Sequence, residues 1–171
     1  MFISKEVFMS QQIKEGDKIP SGSLTSKGDL GIQNYDPAEI FAKGTHVLFS
    51  VPGAFTPTCS EKHLPGYVEH AEALKEAGVL SINCVAVNDA FVMKAWGESF
   101  GIGEKVRLLS DGNGAYNQIM GLSMDTGNFG GIRSKRYAMI ITDGQVKGVF
   151  VEEDKSFEVS KAEYILERLQ K

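Results

Sequence analysis

The sequence is poor in cysteine and histidine, with two and three among 171 residues. Two thiols do not build the dense disulfide framework of a small secreted scaffold, although counting alone leaves one Cys59–Cys84 bond open. No Cys-x-x-Cys pair occurs, which excludes dithiol exchange within one motif. A four-cysteine zinc site is excluded as well. His46, His63 and His70 are scattered, so neither a metal site nor a bound cofactor is expected. No apolar run approaches the ~20 residues of a membrane-spanning helix. The start, MFISKEVFMSQQIKEG, lacks the continuous hydrophobic core of a signal peptide. Residues 1–15 therefore read as an N-terminal extension or edge segment, residues 16–171 as one domain, and the default compartment as the cytoplasm. The net charge of −4 gives no general support for a nucleic-acid or membrane partner, and neither is expected.

What is present is ordinary in bulk: 42% hydrophobic and 23% charged residues suit a globular domain with a sizeable core. The segment DPAEIFAKG predicts a short helix, capped by Asp36, opened by Pro37 and ended by Gly44. Thr45–Val51 is short, β-branched and apolar, as a buried strand should be. A helix disturbed at Pro65-Gly66 follows Cys59 and closes at Gly78. VLSINCVAV is a second buried strand, and Asn88 or Asp89 caps the helix after it. VRLLSD is a third strand, with a short helix in GNGAYNQIMGL. Apolar stretches around Asp143-Gly144 predict a hairpin. Ser160 and Glu163 stand at capping-box spacing before a final amphipathic helix. The order is βαβαβα, then a hairpin, then a helix. That is an α/β domain with a mixed central sheet flanked by helices.

The chemistry concentrates in SVPGAFTPTCSEKHLPGY, Ser50 to Tyr67. If Thr56 caps the helix and Pro57 opens it, Cys59 is the third helical residue. If Thr58 is the cap, Cys59 is the first and Glu61 completes a capping box. Either register sets the sulfur near unpaired backbone N–H groups, which favour negative charge. A buried structural cysteine is the bland alternative. His63, four residues on, is a base, a wall of the pocket or a surface residue. As a base it would make a Cys-His hydrolase dyad. Cys84, inside an apolar strand, reads as a core thiol. Gly130-Gly131 with Arg133, Lys135 and Arg136 is either a phosphate-binding loop or a solvated one. The glycines lack the order of a P-loop.

PGAFTPTCSEKHLPGY resembles the active-site segment of thiol peroxidases of the peroxiredoxin family, in its peroxiredoxin 5-like subfamily. VAVNDAFVMKAW and RSKRYAMIITDG resemble that subfamily in the same order, and the likeness runs from about Lys18 onward. The resemblance implies a thioredoxin-like fold. It implies that Cys59 is the peroxidatic nucleophile, that Thr56 hydrogen-bonds the sulfur or a peroxide oxygen, and that Pro52 shields the pocket. Arg136 matches the family arginine before the aromatic residue of the late strand. Arg133 and His63 match supporting positions.

The resemblance further implies reduction of hydrogen peroxide and organic hydroperoxides through a Cys59 sulfenic acid. Many relatives resolve that acid with a second cysteine in a late loop. Here nothing after Cys84 is a cysteine, and VEEDKSFEVSKAE offers only Ser156 and Ser160. The expectation is therefore a one-cysteine cycle with glutathione or glutaredoxin as donor and thioredoxin as the rival. A homodimer is expected too, with Phe91 or Phe129 as interface candidates. A redox-regulated binding protein or holdase on the same fold is the alternative function.

Overall fold

The computed structural model describes residues 11–171, so the expectations for residues 1–10 lie outside the described residues. A hairpin of β1 (Leu24–Gly28) and β2 (Gly31–Tyr35) leads to the short helix α1 (Pro37–Ile40). Strand β3 (Thr45–Ser50) then enters the centre of the sheet. A π-helical turn (Cys59–His63) runs into α2 (Leu64–Glu69) and α3 (Ala71–Glu76). Next come β4 (Val79–Ala86), α4 (Ala90–Ser99), β5 (Arg107–Ser110) and α5 (Ala115–Ile119). Strands β6 (Ser123–Asp125) and β7 (Ile132–Ser134) form a separate two-stranded sheet. The chain closes with β8 (Tyr137–Thr142), β9 (Gln145–Val151) and α6 (Ala162–Leu169).

The main sheet runs β2-β1-β5-β4-β3-β8-β9. Strand β3 is parallel to β4, and β4 to β5, while the outer pairs are antiparallel. This is the mixed sheet of a thioredoxin-like fold, with helices on its faces. Alternation along the central strands builds two cores, one per face. Val47, Phe49 and Cys84 join Tyr67, Trp96 and Ile165 on one side. Leu48 and Val85 join Phe41, Tyr137 and Met139 on the other. Ile13 is buried in the second core, and its N–H donates to the Met120 carbonyl over 2.8 Å.

Several local expectations hold for their stated reasons. Asp36 accepts from Ala38 N–H and Pro37 opens α1. Asp89, rather than Asn88, caps α4 through Val92 N–H. Asp143 (φ 51°) and Gly144 (φ 77°) both turn left-handed, as a tight hairpin requires. Others are corrected. The long helix breaks at His70, while Pro65 sits within the first turn of α2. Ser160 is no cap, because α6 is preceded by Lys161 without a side-chain cap bond.

Register places the chain's reactive end. The β3 terminus Ser50 pairs with Tyr137, the first residue of β8, which in turn pairs with Val151, the last of β9. The residues just beyond these three, Val51-Pro52, Arg136 and Glu152, therefore meet at one edge. That edge lies past the carboxyl ends of the parallel strands, where open α/β sheets place their ligands.

Candidate active site

Helical backbone begins at Pro57, and Ser60 N–H donates to the Thr56 carbonyl over 2.9 Å. Thr56 thus occupies the cap position and Cys59 the third helical one. Thr58 makes no side-chain cap bond, so the capping box with Glu61 is not formed. Past Cys59 the helix widens. Leu64 N–H donates to the Cys59 carbonyl, five residues back, and Pro65 has no N–H to continue the ladder. Trp96 anchors this turn from α4, its indole N–H donating to Ser60 Oγ over 2.9 Å.

Cys59 is fully buried and free of any disulfide. Arg136 Nη2 donates to its sulfur over 3.1 Å. The second arm of the same guanidinium, Nη1, lies 2.8 Å from His63 Nδ1. Arginine is only a donor, so Nδ1 accepts and the His63 proton sits on Nε2. Nε2–H donates to the Ser160 carbonyl over 3.1 Å. His63 itself is fully buried between the Phe49 ring, at 4.8 Å, and the Phe157 ring, at 5.1 Å. Burial first, and then the Arg136 charge, push it down to about 3. The Ser160 carbonyl opposes them by favouring the protonated ring. Both ring nitrogens are engaged, so His63 has no lone pair for the Cys59 proton. A Cys-His dyad is not assembled here.

The other candidates stand around this pair. Thr56 Oγ1 donates to the Gly53 carbonyl over 2.7 Å, so its hydroxyl is held by the loop rather than by the sulfur. Arg133 Nη1 donates to the Pro52 carbonyl over 3.0 Å and Nε to the Gly130 carbonyl over 3.1 Å. It braces the loop that carries Pro52. Gly53 and Gly130 leave room for that guanidinium, since a Cβ at either would come within 2.7 Å of it. The glycine-rich basic segment is therefore occupied by its own arginine. Ser134 Oγ holds the Val51 carbonyl over 3.0 Å, and Asn88 Oδ1 accepts from Ala54 N–H over 2.8 Å. Directly after them Phe55, exposed, takes φ 63°, a conformation strained for an aromatic residue.

A groove of about 890 Å³ opens beside the site, walled by Pro52, Thr58, Met124, Arg136, Val151 and Glu152. Arg136 lines it, while Cys59 stays fully buried. Sequence reasoning missed Glu152, Phe157 and Trp96, and took Ser160 for a helix cap. Glu152 and Phe157 carry no local motif, Trp96 closes the segment VAVNDAFVMKAW without a sign of its partner, and only the folded chain brings them near Cys59. Cys84 lies in β4 beside Phe49 of β3, fully buried. Burial, with the neighbouring Cys59, pushes its thiol well above the usual range. His46 and His70 bond to Ser81 and Gly66, away from the site.

The sequence profile of the Redoxin family matches residues 14–166. The chain is 48% identical over 163 residues to chloroplastic peroxiredoxin-2E-2 of Oryza sativa subsp. japonica, covering 92% of this chain and 72% of that one. It is 42% identical over 168 residues to chloroplastic peroxiredoxin-2E of Arabidopsis thaliana, covering 94% and 71%. The crystal structure of reduced Prx3 from Vibrio vulnificus in complex with hydrogen peroxide superposes with a TM-score of 0.90 at 51% identity, over 92% of this chain and 99% of that one. The cytoplasmic expectation is overturned by the two plant proteins, both named as chloroplastic.

Proposed function

The chain belongs to the redoxin family and, within it, to the peroxiredoxins, which are thiol-dependent peroxidases; from that premise we propose that Cys59 is the sulfur that attacks the peroxide. One observation carries the reading: a guanidinium donor stands 3.1 Å from a buried, unpaired cysteine sulfur.

The Cys59 thiolate attacks the nearer oxygen of R-O-O-H. An S–O bond forms and the O–O bond breaks. The departing R-O⁻ takes a proton and leaves as R-OH, and Cys59 is left as a sulfenic acid. Charge shifts from sulfur to the leaving oxygen. Arg136 already faces the sulfur and borders the groove, so it can follow that charge without reorganisation. Such a donor contributes about 3 kcal/mol, roughly a hundredfold in rate. Thr56 fixes the loop through the Gly53 carbonyl and keeps oxygen lone pairs for a peroxide O–H. Pro52 walls the groove.

The finer reading assigns the chain to the peroxiredoxin 5-like subfamily, acting on organic hydroperoxides as well as hydrogen peroxide. It assigns recycling to glutathione or glutaredoxin, with thioredoxin as the rival donor, in a homodimer. What supports the donor is the placement of Cys84. A disulfide needs Cβ atoms within about 4.5 Å of each other and an accessible partner thiol. Cys84 is fully buried in the sheet. Glutathione would instead attack the sulfenic acid, release water and leave a mixed disulfide on Cys59. A second glutathione, or glutaredoxin, would then free the thiol by exchange.

Quenched mass spectrometry during turnover, with glutathione and thioredoxin systems supplied separately, tests this cycle. The expected species is Cys59–glutathione, and Cys84→Ala should keep turnover with the preferred donor. A stoichiometric Cys59–Cys84 bond within or between chains, with recycling lost in Cys84→Ala, would contradict it.

A further inference from the structure

The hydrogen bonds around Arg136 form a closed ring. Its backbone carbonyl accepts from Glu152 N–H over 2.9 Å. Glu152 is a buried residue, 9% exposed, and its carboxylate accepts from Ser160 N–H at 2.9 Å and from Ser160 Oγ–H at 2.6 Å, both on Oε2. It also takes Glu158 N–H at 2.8 Å and Val159 N–H at 3.3 Å. The Ser160 carbonyl then accepts from His63 Nε2–H, and His63 Nδ1 accepts from the Arg136 guanidinium. The ring begins at the Arg136 backbone and ends at its side chain.

We propose that Glu152 is a positioning residue for the peroxidase reaction: it holds Ser160 so that His63 keeps the tautomer that aims Arg136 at Cys59. The proposal rests on the reading of Cys59 and Arg136 as the reacting pair. Its physical core is the two-sided nature of imidazole. With the Ser160 carbonyl in place, the proton stays on Nε2 and Nδ1 offers a lone pair to the guanidinium. With that carbonyl displaced, Nε2–H loses its acceptor, and only the Arg136 donor at Nδ1 is left to favour that tautomer. A proton on Nδ1 would face the guanidinium donor with a second donor and push it off the sulfur. Tyr67 leans on the same acceptor, its hydroxyl donating to the Ser160 carbonyl over 2.7 Å, so a displaced Ser160 loosens both rings. The carboxylate suits this post because it gathers several N–H and O–H donors at once: burial pushes its pKa up, and these hydrogen bonds together outweigh that and hold it below its ordinary range. The short linkage matters because a displacement of about 1 Å at a reacting group costs up to about a hundredfold in rate.

The test pairs a rate with a spectroscopic reading that needs no peroxide. Nitrogen-15 NMR of the reduced protein reports the tautomer of each of its three histidines, with His63→Asn assigning the His63 signals. The intact protein should show protonated Nε2 and accepting Nδ1. Glu152→Ala should average those signals between tautomers and slow Cys59 oxidation by hydrogen peroxide roughly ten- to a hundredfold. Glu152→Gln, which keeps an acceptor, should restore part of both. Ser160→Ala, which removes only the hydroxyl, should shift both less and in the same direction. It decides the matter alone if Glu152→Ala does not fold. An unchanged rate, or a slowed rate with the His63 pattern intact, overturns the proposal. Failure of the Cys59 and Arg136 reading is separable: the tautomer would still respond to Glu152, but oxidation would not respond to Arg136→Met.

Discussion

His63 lies between an arginine and a carbonyl, in an apolar cage, and its protonation is linked to folding. It is pushed down from 6.5 to about 3. Between those values the unfolded chain binds a proton at this residue and the folded chain does not. The stability His63 contributes is therefore fully present above pH 6.5 and is lost as pH falls toward 3, by at most ~1.4 kcal/mol per pH unit. Glu152 is held below its usual 4.5 and adds a loss of the same sign only below that value. Urea unfolding between about pH 7 and about pH 5 isolates the histidine. The intact protein should weaken on acidification over that window, and His63→Asn should do so less steeply. Equal slopes would contradict the neutral, buried imidazole. The two arginines divide by contact. Arg136 reaches the sulfur, whereas Arg133 reaches the Pro52 and Gly130 carbonyls. Arg136→Met should slow oxidation roughly a hundredfold and Arg133→Met less, in stopped-flow traces taken after folding is checked. The reverse order would reject the assignment, and His63→Asn should cost less than Arg136→Met.

Among the elements, legibility followed whether the information was local. Thr45–Val51 announces a buried strand by composition, and Asp143-Gly144 announces its turn by backbone need. The hairpin β1–β2 escaped because LTSKGDLGIQNY is mostly polar: it pairs at the sheet edge, where its middle residues face solvent. Strands β6 and β7 are three residues each, too short for any period to show. Ser160 misled because Ser-x-x-Glu is a capping signal. Here a glutamate eight residues earlier competes for its hydroxyl and wins. Of the site, Pro52, Thr56 and Cys59 are one motif on one loop. Their partners arrive from β8, β9 and the C-terminal loop, so contact had to wait for the fold. The β6–β7 sheet also tests the brace. A Cβ at Gly130 would stand 2.7 Å from Arg133 Nε and Nη2. That atom ends a flexible side chain, so Gly130→Ala should move the guanidinium rather than unfold the protein. The expected result is an oxidation rate lowered several-fold, up to about tenfold, with little change in Tm. A large fall in Tm at an unchanged rate would contradict this role.

At the scale of the whole molecule, the fold works by bringing three strand ends to one edge. Strand β3 delivers the loop before Cys59, β8 begins beside Arg136, and β9 ends beside Glu152. The two cores fix the strands. The groove at that edge admits a ligand to Arg136, while Cys59 is fully buried beside it. The central claim is that one sulfur, Cys59, receives the peroxide oxygen. Rapid mixing of the reduced protein with one equivalent of hydrogen peroxide, followed by mass spectrometry, tests it most directly. The intact protein should consume the peroxide and gain one oxygen atom on the peptide carrying Cys59. Cys59→Ser should consume none at a comparable rate, with Cys84 still reduced. Equal consumption by both proteins, or the oxygen appearing on Cys84, would contradict the account.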